Sequence, residues 1–489
     1  MAGAEAGLTR AAAEAHADTI ARMPDLQIPI QRGAREPIAV QISAGLRAAL
    51  RDGRLAPGAR LPSWRDFAAQ LGVARGTVRL AYERLIDEGL VVALGAAGTR
   101  VVQRLPPAQV PPAPGEGAIV DDFATFPSAA SVFQMGVPAH DAFPAQVWSR
   151  TVARAVRAAA GAPQVYPDPR GLPALRAEIA AHLAIARGLS CRPSQVFVTT
   201  GYAGALSLAV HALGLAGGAA WVEDPGYPLA RRALGLVGIE AVPVPVDAEG
   251  LDVACGIARA PQAALALVTP GQQAPLGVAL SPRRRVALLG WATRSKGWIV
   301  EDDYLSELQL QGRAVPALGA RDPAARVLHI GSFSKTLSPT LRLGFLVVPP
   351  GEVQRFTRAA AVLSPASSPL TQHALAEFMR EGHYLRHLRR MKRLYLSRRD
   401  ALTAALDAMS ATYIRAGLAV LLRLPPGLHD DVALVKAARA HDLSPTPLSP
   451  WYAVPGPERV GLLLGVTNLH EDRARATCER LMRLIARHA

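Results

Sequence analysis

The sequence is poor in lysine and cysteine, and each scarcity excludes something. Only four of the 54 basic residues are lysines, Lys296, Lys335, Lys392 and Lys436, so a chemically loaded lysine has few candidates. The three cysteines, Cys191, Cys255 and Cys478, are far apart and odd in number, which excludes a disulfide framework and the usual thiolate metal spacings; no metal site is expected. Their number suits a reducing, cytoplasmic compartment. The Ala-rich start, Met1 to Gln27, carries Glu5, Arg10, Glu14, Asp18 and Arg22 and has no apolar signal-peptide core. The longest uncharged run, Gly201–Val222, could span a bilayer by length. His211 and the Gly217–Gly218 break instead divide it into a buried helix followed by a strand, so no membrane partner is expected.

What is present is bulk and positive charge. The chain has 489 residues, 50% of them hydrophobic, too many for one core and too apolar for wholesale disorder. The net charge of +15 is carried almost wholly by arginine, and a positive total alone is weak evidence for nucleic acid. Leu105–Gly117 holds five prolines and two glycines in thirteen residues and can continue neither a helix nor a central strand. It marks a linker, placed at 105–121. An N-terminal extension (1–30) and a small domain (31–104) precede it; a large domain (122–489) follows, with a smaller C-terminal subdomain from around residue 365.

In the small domain, apolar spacing predicts a helix over Ala39–Leu50, with Val40, Ile42, Leu46, Ala49 and Leu50 mostly on one face. Gly53, Pro57 and Gly58 then force a turn. Ser63 caps a short helix through Trp64, Phe67, Ala68 and Leu71. After Gly72 a third helix, Arg75–Glu88, buries Val78, Ala81, Tyr82, Leu85 and Ile86. Two strands, Leu90–Leu94 and Thr99–Val102, joined at Gly95–Gly98, form a hairpin wing. Three helices and a wing make a winged helix-turn-helix, whose third helix presents Arg75, Gly76, Thr77 and Arg79 at the end that meets base edges and phosphates. Between Ile28 and Arg104 twelve arginines oppose six carboxylates, a net +6 suited to phosphate contacts.

The stretches GRLAPGARLPS, LGVARGTV and GTRVV closely resemble the DNA-binding domain of GntR-type bacterial regulators. The resemblance implies double-stranded operator DNA as partner, with Arg65, Arg75, Thr77 and Arg79 contacting it and Gly98 and Thr99 at the wing tip.

Beyond the linker, apolar runs alternate with amphipathic helices: Val196–Thr199, Ala219–Val222, Ala264–Val268, Trp298–Val300, Val327–Ile330 and Phe345–Val348. Such alternation predicts an α/β domain with a mostly parallel sheet, in which ligands bind beyond the C-terminal strand ends. At those ends stand Glu301-Asp302-Asp303-Tyr304 and Gly331-Ser332-Phe333-Ser334-Lys335. A lysine in a Ser-rich loop beside a carboxylate and a tyrosine suits pyridoxal 5′-phosphate (PLP): the amine forms a Schiff base and the carboxylate keeps the ring nitrogen protonated. A phenol suits the ring oxygen, and hydroxyls with Arg342 suit the phosphate. Thr199-Thr200-Gly201-Tyr202 leads from a strand into a helix whose first amides, at Tyr202 and Ala203, could bind phosphate. Glu223-Asp224-Pro225-Gly226-Tyr227 follows another strand and could set Tyr227 beside a cofactor ring.

EDDYLSEL followed by GSFSKTLSPTLRLGFLVVP resembles fold-type I aminotransferases. The combination with the first domain resembles the MocR/GabR group, in which a GntR-type domain is fused to an aminotransferase-like one. The resemblance implies a seven-stranded sheet with helices on both faces. It also implies Lys335 as the aldimine lysine, Asp302 on the pyridine nitrogen, Tyr304 on the ring oxygen, and Ser332, Ser334 and Arg342 on the phosphate. Tyr166, in YPDPRG, resembles the tyrosine that reaches the phosphate in the partner subunit, implying a homodimer with shared sites. The function implied is a transcriptional regulator that senses PLP, an amine or an amino acid through an aldimine, with half-transamination at most. The alternative is a working aminotransferase with a DNA-binding appendage.

Two stretches depart from the group. Thr269-Pro-Gly-Gln-Gln-Ala-Pro-Leu-Gly277 replaces the usual TPSHQFPTG, so Gln272, Ala274 and Leu276 alter the wall near the ring. Leu462-Leu463-Leu464-Gly465 puts Leu463 where the group carries the arginine for a substrate carboxylate, leaving Arg231 or Arg232 as replacements.

Overall fold

The computed structural model describes residues 26–102 and 131–488, apart from 35, 162–164, 311, 313, 364–365, 455 and 457. The proline-rich segment and most of the N-terminal extension lie outside the described residues. The chain divides into two units, with the division at Thr125 and Phe126.

In the first unit α1 (Ile38–Arg51) buries Ile42, Leu46 and Ala49, one heptad-like stripe. Ser63 Oγ accepts from Asp66 N at 3.1 Å and starts α2 (Trp64–Leu71), which Gly72 ends at φ 62°. α3 (Arg75–Asp87) lays Val78, Ala81, Tyr82 and Leu85 on the shared core with Phe67. The Tyr82 hydroxyl donates to Pro62 O at 3.0 Å and fixes α3 against the start of α2. Ile86, counted in that face from its spacing, is 38% exposed. The wing is shorter than its apolar runs: β1 (Val91–Ala93) and β2 (Thr99–Val101) pair antiparallel. Leu61 N and Val101 N donate to Thr99 O and Ala59 O at 2.8 and 2.9 Å, tying the wing to the chain before α2.

The second unit is built on an eight-stranded sheet. Its strands are β3 (Val196–Thr199), β4 (Ala219–Asp224), β5 (Glu240–Asp247), β6 (Gly250–Leu251), β7 (Leu265–Val268), β8 (Trp298–Asp303), β9 (Val327–Ser332) and β10 (Gly344–Val347). Their order is β3-β10-β9-β8-β7-β4-β5-β6. Neighbours from β9 to β5 are parallel, whereas β10 runs antiparallel to both β9 and β3. The strand beyond the expected seven is β6, a two-residue return paired to β5, too short to leave an apolar run. Every residue of β3, β7 and β10 is buried, as a sheet covered on both faces requires. The long uncharged run is the helix Tyr202–Leu213 followed by β4.

β4, β8 and β9 run past their apolar segments into Asp224, Asp303 and Ser332, because ladder hydrogen bonds continue after hydrophobicity ends. Asp302 therefore lies on a strand and takes its direction from the sheet.

The C-terminal portion holds a second, antiparallel sheet, β11 (Tyr413–Ala416), β12 (Ala419–Leu422), β13 (Thr446–Pro447) and β14 (Leu462–Gly465), in the order β11-β12-β14-β13. The 25-residue helix His383–Asp407 and the helix Ala474–His488 share one apolar core with β12 and β14. No helix among the described residues is long and apolar enough to cross a membrane.

Phe67 is fully buried where α2 meets α3. Phe67→Ala should cost about 3–5 kcal/mol of stability in the first unit. Hydrogen exchange should show faster amides over 38–101 and unchanged protection in β7 and β8.

Candidate functional site

Register brings the polar strand ends to one level. Gly344 pairs with Thr199 on β3 and with Ser332 on β9, and Asp302 pairs with Ile330. Neighbouring strands lie about 4.8 Å apart, so Thr199, Ser332 and Asp302 ring one short stretch of the sheet's edge. A Cβ on Gly344 would stand 2.8 Å from Gly201 Cα; glycine there lets β10 close against the start of the Tyr202–Leu213 helix.

Lys335 follows β9 in a turn and Asp302 is the last residue but one of β8, one strand away. Burial raises the Asp302 carboxyl to about 8, with Asp303 and Glu223 adding to the rise and Lys335 opposing it. Burial lowers the Lys335 ammonium, and Asp302 opposes that. Behind them Glu223, on β4, accepts from Thr269 N at 3.0 Å and Thr269 Oγ1 at 2.6 Å, yet burial still lifts it to about 7. Two carboxyl groups thus share little positive charge, an environment that favours a protonated ring nitrogen arriving beside Asp302. The Tyr304 phenol is raised by burial first and by Asp302 second, and Gln272 bonds to it.

The opposite side of the site suits an anion. Tyr202 and Ala203 open their helix after Gly201 (φ 91°), and no side chain caps the amides there. Ser334 N donates to Ser332 Oγ at 3.2 Å, which holds that hydroxyl in the turn. Arg342 takes a left-handed backbone (φ 49°) after a single-turn helix, and among the described residues its guanidinium has no partner. An unpaired arginine and an uncapped helix start are what a bound phosphorylated ring would satisfy. The residues present fit PLP.

Tyr227 caps the next helix, Pro228–Leu236. Its ring meets Tyr202 edge-on at 6.1 Å and Trp451 at 6.0 Å. With Glu223, Thr269 and Asp302 these tyrosines line a cavity at the sheet edge. Arg231 also lines it, but does not stand free for a substrate carboxylate. Its two terminal nitrogens donate to Gly226, Pro450, Trp451 and Tyr452 carbonyls at 2.7–3.2 Å, stapling the C-terminal portion to the sheet. Leu463, on β14, is wholly buried with Leu421, Leu448, Trp451 and Ala274, and Met135, Leu276, Tyr304 and Tyr452 pack on that cluster. The wall beyond Tyr304 is apolar. Tyr166 is 100% exposed and lies apart from these residues in its own chain.

On the first unit Arg65, Arg75 and Arg79 are exposed along the starts of α2 and α3, with Thr77 half-buried between the last two. Arg79 Nε holds Glu83 at 2.8 Å, an exposed i,i+4 pair weak enough for a phosphate to displace. Gly98 turns the wing at φ 83°, where a Cβ would sit 2.9 Å from Arg60 Nε; Thr99 begins β2.

Gly136 escaped the sequence reading. Its carbonyl accepts from Lys335 Nζ at 2.8 Å across 199 residues of chain. No motif surrounds it, and only the fold brings it there. Thr336 was missed too: the Tyr384 hydroxyl reaches its Oγ1 at 3.0 Å and Glu307 at 2.6 Å, bracing the turn from the helix His383–Asp407. Among the described residues no cluster of His, Cys, Asp or Glu could hold a metal.

Residues 38–101 match the family "Bacterial regulatory proteins, gntR family", and residues 133–452 match "Aminotransferase class I and II". The chain is 35% identical to the probable rhizopine catabolism regulatory protein MocR of Rhizobium meliloti, over 90% of this chain and 92% of that one. It is 33% identical to the HTH-type pyridoxine biosynthesis transcriptional regulator PdxR of Corynebacterium glutamicum, over 92% and 96% of the two chains. An archaeal alanine:glyoxylate aminotransferase shares the fold of the second unit, with a TM-score of 0.68 at 23% identity over 74% of this chain and 92% of that one.

The raised Asp302 carboxyl has a measurable consequence for the protein without cofactor. Between its ordinary 3.8 and about 8 the folded chain holds a proton that the unfolded chain has released, so stability falls as pH rises across that window and levels off above it. Asp302→Asn removes the cost. Its melting temperature should exceed that of the wild type by a margin that grows from pH 4 and flattens above pH 8; a margin independent of pH would contradict the assignment.

Proposed function

The chain belongs to the MocR-type HTH transcriptional regulators, and we propose that its aminotransferase-fold unit binds PLP at Lys335 and that occupancy biases DNA binding by the winged helix-turn-helix. The observation that carries this is Lys335 and Asp302 at neighbouring strand ends, each shifted by burial and each opposing the other's shift. When bound, PLP supplies an aldehyde for a lysine amine and a ring that draws electrons. The chain's own residues do the rest. Asp302 offsets the proton on the ring nitrogen, and Tyr304 hydrogen-bonds the ring oxygen from an apolar wall that excludes water. Ser332, Ser334, Arg342 and the amides of Tyr202 and Ala203 hold the phosphate, and Tyr227 borders the ring. Tyr166, fully exposed in one chain, serves the partner's phosphate in a homodimer with shared sites. Arg65, Arg75, Thr77 and Arg79 contact operator DNA, with Gly98 and Thr99 at the wing tip; the regulator works in the cytoplasm.

The purified protein should be yellow, absorbing near about 420 nm, and borohydride should fix the cofactor on Lys335. Lys335→Ala should lose the band. Operator affinity should differ between the PLP-loaded and empty wild type; equal affinity with the band present would remove the coupling.

The sensed ligand is PLP itself rather than an amino acid. Leu463 is buried in an apolar cluster and Arg231 is committed to four carbonyls, so neither supplies the paired charge that recognises a carboxylate. One relative is named for pyridoxine biosynthesis. Millimolar amino acids should leave the 420 nm band of the wild type unmoved. Sustained exchange of amino groups between an amino acid and a keto acid would instead make the protein an aminotransferase with a DNA-binding appendage.

A further inference from the structure

We propose that the Gly136 carbonyl reads the state of Lys335, so that capture of PLP changes what holds the pinned Met135–Gly136 arch. The inference rests on Lys335 being the residue that captures PLP.

Residues 131–142 are the first described residues after the segment that joins the two units. They are pinned on both sides of the arch. Upstream, Ser444 N and Gly465 N donate to Val132 O and Phe133 O at 2.9 and 2.8 Å, and Phe133 is wholly buried. Downstream, Thr467 Oγ1 donates to Val137 O at 2.6 Å and Ala139 N donates to Tyr395 OH at 2.9 Å. Arg398 NH2 closes the series on Asp141 at 2.6 Å. Between these anchors Met135 and Gly136 rise over the cofactor site. Met135 packs on the cluster that includes Leu463 and Tyr304, and Gly136, exposed at φ 75°, gives its carbonyl to Lys335 Nζ at 2.8 Å.

A free lysine ammonium has three hydrogens to donate. When a lysine amine condenses with an aldehyde, the new carbon–nitrogen double bond replaces the carbonyl double bond. One ammonium proton goes to solvent and the other two hydrogens leave with the aldehyde oxygen as water. The nitrogen then regains at most one hydrogen, which the neighbouring ring oxygen competes for. Gly136 O therefore loses its donor when Lys335 is occupied and keeps it when Lys335 is free. A Cβ at residue 136 would lie 2.7 Å from Nζ, so the two are close enough for any displacement of Nζ to be felt by the arch. Phosphate and ring contacts fix the cofactor in place; this contact changes partner on loading, which is what a coupling free energy requires.

Hydrogen exchange of the full-length protein, read on peptides covering 131–142, tests the proposal alongside operator affinity. Exchange there should be slow in the empty wild type and faster once PLP is bound. Lys335→Ala, which removes the donor, should exchange and bind operator like loaded wild type, within about twofold, with no PLP present. Lys335→Arg keeps a cationic donor but forms no bond to the aldehyde, and should behave like empty wild type even with PLP added. A merely structural role would move both variants in the same direction. The proposal is overturned if loading leaves exchange over 131–142 unchanged, or if Lys335→Ala matches the empty wild type. In either case a persistent 420 nm band in the wild type leaves PLP binding standing; a missing band removes PLP binding itself.

Discussion

The second unit is organised around the cost of holding the Asp302 carboxyl at a sheet edge with little positive charge to offset it. Removing a carboxylate from water without a partner is expensive, and the group responds by keeping its proton. Asp303 and Glu223 deepen the cost, and Lys335 relieves part of it. The sheet makes this arrangement unavoidable: β8 and β9 are hydrogen-bonded neighbours, and both run beyond their apolar cores into polar residues. A ligand that brings a positive charge to Asp302 and a reactive carbonyl to Lys335 relieves both groups together. Selectivity for such a ligand thus begins in strand order, before any surface contact is made.

The rest of the site is asymmetric. One side gathers anion-binding groups, with Arg342 held in a left-handed conformation and the helix Tyr202–Leu213 starting without a cap. The other side is apolar, closed by Leu463, Trp451 and Ala274. Arg231, which could have served a carboxylate, is spent on carbonyls and joins the C-terminal portion to the sheet instead. Both terminal nitrogens of this guanidinium are engaged, and recruiting them would leave four backbone carbonyls without that donor. Neither Leu463 nor Arg231, as placed among the described residues, offers a free paired charge to an amino acid's carboxylate.

The legible parts of the molecule were those written locally. The three helices of the first unit follow from apolar spacing, Ser63 and Gly72, and the structure places them within a residue or two of expectation. Strand cores followed from apolar runs, and the scarcity of lysine drew attention to Lys335. Contacts between distant parts of the chain were not legible. β6 is two residues long and leaves no periodic trace. Arg231 meets residues around 450, and Gly136 meets Lys335 across 199 residues. Glu223 follows an apolar run with nothing local to mark its partners, and its burial against Thr269 and Gln273 decides its chemistry. Ile86 kept helical spacing yet stays partly in solvent, because spacing names a face and the packing partner decides how far that face is covered.

A regulator needs less from this fold than an enzyme does. Turnover rewards contacts that strengthen in a transition state, whereas regulation rewards contacts that differ between two stable states. Contacts to a phosphate and a ring would add affinity without themselves distinguishing two states of the protein. Lys335 is different, because covalent capture of an aldehyde, as proposed, would change how many hydrogens its nitrogen can donate. The group it donates to lies in the segment that continues toward the DNA-binding unit, and that segment is pinned on either side of Gly136. A loose segment would absorb the change within itself. Pinning at Phe133 and Val137 confines the change to the arch between them, where it is largest and most easily read.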